Sequence, residues 1–240
     1  MPLNILHLDP DLVAIDKPAG MLVHRGERAS HGGEPVLQAL RRQLGQRLYP
    51  VHRLDKATSG VLIMALSPEV ASRLVAQWSE VEKHYLAVVR GHLSDCQLDL
   101  PLAAPRDRFD PHWTPGPEKP AQTRFTALAQ VELPLAIDKY PCSRYSLVRC
   151  QPLTGRKHQI RRHLRHLGHP ILCDTRYGKN RHYHHFRDQV RIDRMLLHCE
   201  QLRLTHPVSG EPMILSAEPD PVFLRALTYL GLKPNGESSG

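Results

Sequence analysis

Val51-His52-Arg53-Leu54-Asp55-Lys56-Ala57-Thr58-Ser59-Gly60 runs directly into Val61-Leu62-Ile63-Met64-Ala65-Leu66. The second half is a continuous apolar run of strand length, which predicts a buried strand. The first half is polar and ends in Thr58, Ser59 and Gly60, residues that favour turns. Its one acid, Asp55, is bracketed by Arg53 and Lys56. Neighbouring cations favour the carboxylate form, which suits a nucleophile or base better than a proton donor. Taken alone, the same pattern describes an ion-paired surface turn equally well.

Working outward, Ser67-Pro68-Glu69 supplies an N-cap, a proline for the first helical position and an acid for the first turn. A helix follows with Val70, Leu74 and Trp78 on one face. Upstream, Ile5-Leu6-His7-Leu8 and Leu12-Val13-Ala14-Ile15 flank Asp9-Pro10-Asp11, an early hairpin. Val36, Leu37, Leu40 and Leu44 fall at helical spacing, with Gly45 as the stop. Downstream, residues 85–89 predict a strand ended by Gly91, and residues 147–148 and 202–215 predict more. The stretch 101–120 holds six prolines and predicts a loop. Strands and helices without strict alternation indicate an α+β fold around a mixed, mostly antiparallel sheet with flanking helices.

Lys and Arg number 32 against 24 acids over 240 residues, a formal charge of +8 with a pI near 9.4. Such a field concentrates polyanions, although a basic protein can also be merely soluble. The charge is not uniform: Arg156-Lys157-His158-Gln159-Ile160-Arg161-Arg162-His163-Leu164-Arg165 carries five fixed cations and no acid. A second basic, His-rich region covers residues 176–194. The five cysteines are scattered and never form C-x-x-C, which excludes a disulfide framework and a zinc ribbon. No targeting segment or bilayer-length apolar run is present, so a cytoplasmic protein with no membrane partner is expected. His163, His166 and His169 drift around a helix, and His182, His184 and His185 lack an acid or thiol to complete a site. No metal is expected.

Residues 52–60 match the H-R-L-D-x-x-T-S-G signature of the RluA-type pseudouridine synthases, and further elements follow in that family's order. Residues 5–24 resemble its I-L-x-x-D-x-x-L-V-A-x-x-K-P-x-G-x-x-V-H opening. Lys83-His84-Tyr85-Leu86-Ala87 fits K-x-Y-x-A, and Lys119, Ala121 and Thr123 fit K-x-A-x-T. Residues 155–161 match G-R-x-H-Q-I-R, and Arg194-Met195-Leu196-Leu197-His198 resembles R-L-x-L-H. The resemblance implies the pseudouridine synthase fold with a catalytic cleft, and conversion of uridine in RNA to its C-glycoside. By the same resemblance Asp55 is the nucleophile, Tyr85 packs on the flipped base and Arg161 pairs with Asp55. Leu196 or Leu197 walls the pocket, and Arg53 fills the gap that the base leaves. No cofactor is implied.

Helical geometry bears on the arginines. Over residues 158–167, Ile160, Leu164 and Leu167 share a face; Arg161 borders it, and Arg162, Arg165 and His166 point away. Arg162 and Arg165 are therefore candidates for RNA phosphate, with a solvated basic face as the plain alternative, and Arg156 and His158 in the same basic stretch are further substrate-binding candidates. A single catalytic domain over 1–232 is expected, without an N-terminal S4-like RNA-binding domain, followed by a disordered tail at 233–240. Lys139-Tyr140-Pro141-Cys142-Ser143-Arg144-Tyr145, Val23-His24-Arg25 and Arg162-His163-Leu164 resemble the tRNA pseudouridine-65 branch. That makes tRNA the expected partner, ribosomal RNA the alternative, and no obligatory protein partner. A non-catalytic RNA-binding protein is the reading of another class.

Overall fold

The computed structural model describes residues 2–24, 33–106, 114 and 116–232. The tail at 233–240 and part of the proline-rich loop therefore lie outside the described residues. The chain packs as two compact units, each built from two separate stretches. Unit 1 takes Met1–Tyr85 and Leu197–Asp220; unit 2 takes Leu86–Leu196 and Pro221–Gly240.

Unit 1 opens with the expected hairpin, β1 (Asn4–Leu8) against β2 (Leu12–Lys17). Asp9 holds its turn by accepting the N–H groups of Asp11 and Leu12 through Oδ1. β2 pairs antiparallel with β4 (Ser59–Ala65), from Leu12 opposite Ala65 to Lys17 opposite Gly60. Every residue of β4 is buried, which explains its unbroken apolar run. A short β3 (Tyr49–Pro50) also pairs with β4. β4 then pairs in parallel with β9 (Leu197–Thr205), and β9 pairs antiparallel with β10 (Pro212–Ser216).

Among the described residues, the two helices of unit 1 follow their local signals. α1 (Val36–Leu44) buries Val36, Leu37 and Leu40 and stops at Gly45, in the left-handed region at φ 69°. α2 (Pro68–Ala76) is capped by Ser67, whose Oγ accepts from the Val70 amide at 3.2 Å. Val70 and Leu74 are buried, whereas Trp78 lies beyond the helix end and packs on the core from there.

Unit 2 takes β5 (Glu82–Arg90) from Leu86 onward, β6 (Cys96–Asp99), β7 (Gln122–Leu133) and β8 (Ser143–Pro152), in the spatial order β5-β8-β7-β6. β6–β7 and β7–β8 are antiparallel. With β4–β9 parallel in unit 1, the pairing is mixed and mostly antiparallel, as the sequence implied. Among the described residues the unit also holds three helices, α3 (Gln159–His166), α4 (Asn180–Val190) and α5 (Pro221–Leu230). Its core gathers Tyr145, Phe186, Phe223, Ala226 and Leu230. The Tyr145 hydroxyl meets His182 Nδ1 at 2.9 Å.

Candidate active site

The acid-bearing segment of unit 1 is irregular from Val51 to Thr58, so its path depends on anchors rather than on a ladder. The first anchor is His52. Its Nε2 accepts the Ile63 amide at 2.9 Å, and its ring stacks on Trp78 with centroids 4.3 Å apart. A backbone N–H can only donate, so Nε2 is the lone-pair nitrogen and the ring is neutral. Burial, with the positive Lys83 as a second cause, pushes the His52 pKa down to about 3. Lys83 in turn donates to the carbonyls of Val81 and Trp78. The K-x-Y element therefore braces the H-R-L-D element through Trp78.

Leu54 is buried and Arg53 and Lys56 are exposed, which leaves Asp55 half-buried at the bend. Its carbonyl accepts the Thr58 amide at 3.0 Å. The second anchor is Lys17, which has no exposed surface. Its ammonium donates to the carbonyls of Pro18 (2.8 Å), Met21 (2.9 Å) and Lys56 (3.4 Å). The Gly20 amide also donates a hydrogen bond to the Lys56 carbonyl at 2.7 Å. The K-P-x-G turn thus grips the backbone one residue past Asp55. Tyr85, half-buried on β5, packs on the unit 1 core and hydrogen-bonds the Cys199 thiol. Burial holds that thiol up at about 12, with Tyr85 pulling the other way. Leu197 is buried at the start of β9.

In unit 2, Arg161 is buried on α3 and forms a two-pronged ion pair with Asp174. Its Nε and Nη2 donate to the two carboxylate oxygens at 2.8 and 3.0 Å. Burial alone would raise the Asp174 pKa; the Arg161 bonds and charge, with the amides of Arg176 and Tyr177, outweigh it and leave it lowered. The inward lean expected for Arg161 is correct, and this acid is a partner that the sequence reading did not foresee. Leu196 is fixed by a closed ring of backbone bonds: Val88 N to Leu196 O, Leu196 N to Leu172 O and Leu172 N to Val88 O.

The remaining candidates in unit 2 divide by what they hold. Arg162 is half-buried and donates to the Ala103 carbonyl at 2.7 Å; Arg156 Nε donates to Pro120 O at 2.9 Å. Both therefore clamp the base of the proline-rich loop. Exposed Arg165 donates to the Tyr177 carbonyl at 3.0 Å, and His158 Nδ1 meets the Tyr177 hydroxyl at 3.0 Å. The Arg161 guanidinium lies 5.0 Å from the Tyr177 ring centre and that of Arg176 lies 5.6 Å away. Tyr177 is thus the hub of a cationic cluster.

Residues 11–166, about two thirds of the chain, match the family described as RNA pseudouridylate synthase. The chain belongs to that family. The match includes Asp55, Tyr85 and Arg161, and it bears out the family expected from the H-R-L-D and H-Q-I-R elements. Similar proteins include the tRNA pseudouridine synthase C of Pasteurella multocida (strain Pm70), 46% identical over 229 residues, with 93% of this chain and 94% of that one covered. The protein of the same name from Vibrio cholerae serotype O1 is 44% identical, covering 95% of this chain and 96% of that one. Two human structures share the fold. RNA Pseudouridylate Synthase Domain Containing 4 has a TM-score of 0.71 at 26% identity, covering 97% of this chain and 95% of its own. RNA Pseudouridylate Synthase Domain Containing 1 gives 0.67 at 24%, covering 97% and 96%.

This pseudouridine synthase also contains site-building residues that sequence reasoning passed over. Asp174 opens Asp174-Thr175-Arg176-Tyr177-Gly178, where its Oδ1 accepts the amides of Arg176 and Tyr177. An Asp feeding the amides two and three residues on is turn chemistry legible in the string, hidden here because the region stood out only as basic. Gln159 ties the turn before α3 to β7: it accepts from the Arg156 amide and the Thr154 hydroxyl, and donates to Gln122 O and Thr123 Oγ1. His163, weighed as a metal ligand and as part of a branch-like stretch, is fully buried between Thr123 Oγ1 and Leu100 O.

Asp9, Asp11 and His206 come together in unit 1 with donor atoms close enough to share a cation. The tautomer argues otherwise. His206 Nδ1 accepts the amides of Val208 and Ser209, so Nε2 carries the proton and donates to Asp9 at 3.2 Å. The group is a hydrogen-bonded clamp between two hairpin turns.

Proposed function

We propose that this enzyme converts uridine to pseudouridine in tRNA, at position 65, with Asp55 as the nucleophile acting on a flipped-out uridine in the cytoplasm. The observation that carries the tRNA reading is 42–46% identity, over nine-tenths or more of the chain, to proteins named tRNA pseudouridine synthase C. The position rests on the branch-like stretches around Tyr140 and His163. In the reaction the N1–C1′ bond breaks, the uracil turns, and a C5–C1′ bond forms. The C5 hydrogen leaves as a proton and N1 takes one up, so atoms balance without any electron acceptor. Asp55 supplies the carboxylate, Tyr85 stacks on the extruded base, and Arg161 contributes the opposing charge. Leu196 and Leu197 wall the base off from water, and Arg53 occupies the vacated stack.

Extruding a nucleotide costs a few kcal/mol in lost pairing and stacking. Phosphate contacts from Arg156, His158, Arg162 and Arg165 offset that cost. Release of tritium from tRNA labelled at uracil C5 tests the chemistry. Asp55→Asn should slow release by ~10³-fold or more while still binding tRNA; release at the wild-type rate removes Asp55 from the mechanism. Mapping pseudouridine in total RNA from cells lacking the protein tests the substrate. Loss at tRNA position 65 is expected, and loss in ribosomal RNA alone would overturn it.

A further inference from the structure

The loop that carries Asp55 has a third anchor, at its downstream end. Ser59, the first residue of β4, is 2% exposed, and its Oγ lies 2.8 Å from Nδ1 of His198. His198 has no exposed surface, and its Nε2 lies 2.8 Å from the Ala217 carbonyl oxygen. A carbonyl accepts only, so Nε2 carries the ring proton. In the neutral ring Nδ1 is then the lone pair, and the Ser59 hydroxyl must donate to it. A one-directional chain results: Ser59 O–H to His198 Nδ1, and His198 Nε2–H to Ala217 O.

The backbone reinforces this link. Ser59 faces His198 and Gly60 faces Cys199 in the parallel β4–β9 pairing. At Gly60 the strands approach so closely that a Cβ would sit 2.1 Å from the Cys199 carbonyl oxygen. Stability alone does not call for such a polar pair, because apolar groups of matching shape in both places fold about as well. What the polar pair adds is direction, one orientation of the strand start relative to β9.

We propose that His198 is a positioning residue for the reaction: acting through the Ser59 hydroxyl, it sets where β4 begins and so where Asp55 is presented. The inference rests on Asp55 being the nucleophile. Misplacing a reacting group by about 1 Å can cost ~10²-fold in rate, so a loose anchor shows in the chemical step before it shows in binding.

Two substitutions separate the two ends of the ring. His198→Asn keeps an acceptor near the Nδ1 position for Ser59 and loses the donor to Ala217. His198→Gln keeps the donor and loses the acceptor. Single-turnover tritium release at saturating enzyme, tRNA affinity by filter binding and thermal midpoint are measured for both, with Ser59→Ala and Asp55→Asn alongside. Ser59→Ala and His198→Gln should each slow release by ~10-fold or more, with affinity unchanged within about twofold. Combining them should add little further loss, since both cut the same bond. His198→Asn should restore most of the rate despite a lower melting point. Rates that simply follow melting points, or Ser59→Ala at the wild-type rate while Asp55→Asn is silent, overturn the positioning role alone. An active Asp55→Asn overturns the nucleophile assignment and this inference with it.

Discussion

At the residue scale, the buried ions are the groups whose loss should cost most. Asp174 has 1% of its side chain exposed and compensates Arg161 with both oxygens. Removing one partner of such a pair strands the other charge, a cost of ~3–5 kcal/mol. Asp174→Asn should therefore lower unfolding stability by about that amount in urea titrations; a change below about 1 kcal/mol would mean that Arg161 finds other compensation. The same pair complicates any test of Arg161 as the counter-charge of Asp55, because Arg161→Ala also strands Asp174. Arg161→Lys, which keeps the charge and loses the fork, is the cleaner probe. His52 gives a pH prediction. Its folded pKa of about 3 lies below the ordinary 6.5, so the unfolded chain takes up the proton first. Its contribution is full above about pH 6.5 and is lost as the pH falls toward 3. His52→Gln should flatten the fall of the urea midpoint between about pH 6.5 and 5, above the carboxylate range. An unchanged slope would show that the His52 proton does not couple to folding.

Elements act here as carriers of those residues. β4 is the central one: it takes the Ile63–His52 bond, the Ser59–His198 bond and the Gly60 contact, all within one strand. Gly60 has φ +107°, a region that favours glycine, and there is no room for a side chain. Gly60→Ala should destabilise unit 1 by about 3 kcal/mol or more, a size reserved for strain or overpacking. Calorimetry reads this directly, and a midpoint within a degree of wild type would show that β9 moves aside freely. α3 was legible in outline. Ile160 and Leu164 are buried as expected, yet the buried face is wider than the apolar spacing implied, because Arg161, His163 and Gln159 join it. A polar side chain enters a core when partners wait there. Asp174, Thr123, Leu100 and Gln122 are those partners, and none is near α3 in sequence terms that a hydrophobic pattern can register.

For the whole molecule, the net charge of +8 matters more than any single basic residue. Arg162 and Arg156 each also bond a loop carbonyl through one guanidinium nitrogen, so part of the basic stretch serves architecture as well. Arg165 is exposed, and it is the stricter test of phosphate contact. Arg165→Gln should weaken tRNA binding and lower the slope of log affinity against log salt by about 1. Filter binding across a salt series measures this, and an unchanged slope would return Arg165 to a solvated face. The division into two units, each assembled from two separate chain segments, is a feature of the molecule that composition and turn signals did not disclose. Chain boundaries show in loops; which distant segments share a core depends on strand pairing, as when β9 enters unit 1 beside β4.

Local chemistry by itself determined the hairpin, the capped α2, the glycine stop of α1, the buried β4 and, through ordered motifs, the family. Each of those depends on neighbours within a few residues or on strings that sequence displays. Tertiary packing decided that Arg161 grips Asp174, that His52 is neutral with a fixed tautomer, that His198 bridges Ser59 and Ala217, and that Tyr177 gathers the cations. These depend on which donor meets which acceptor across tens of residues, and hydrogen-bond direction exists only once both ends are in place.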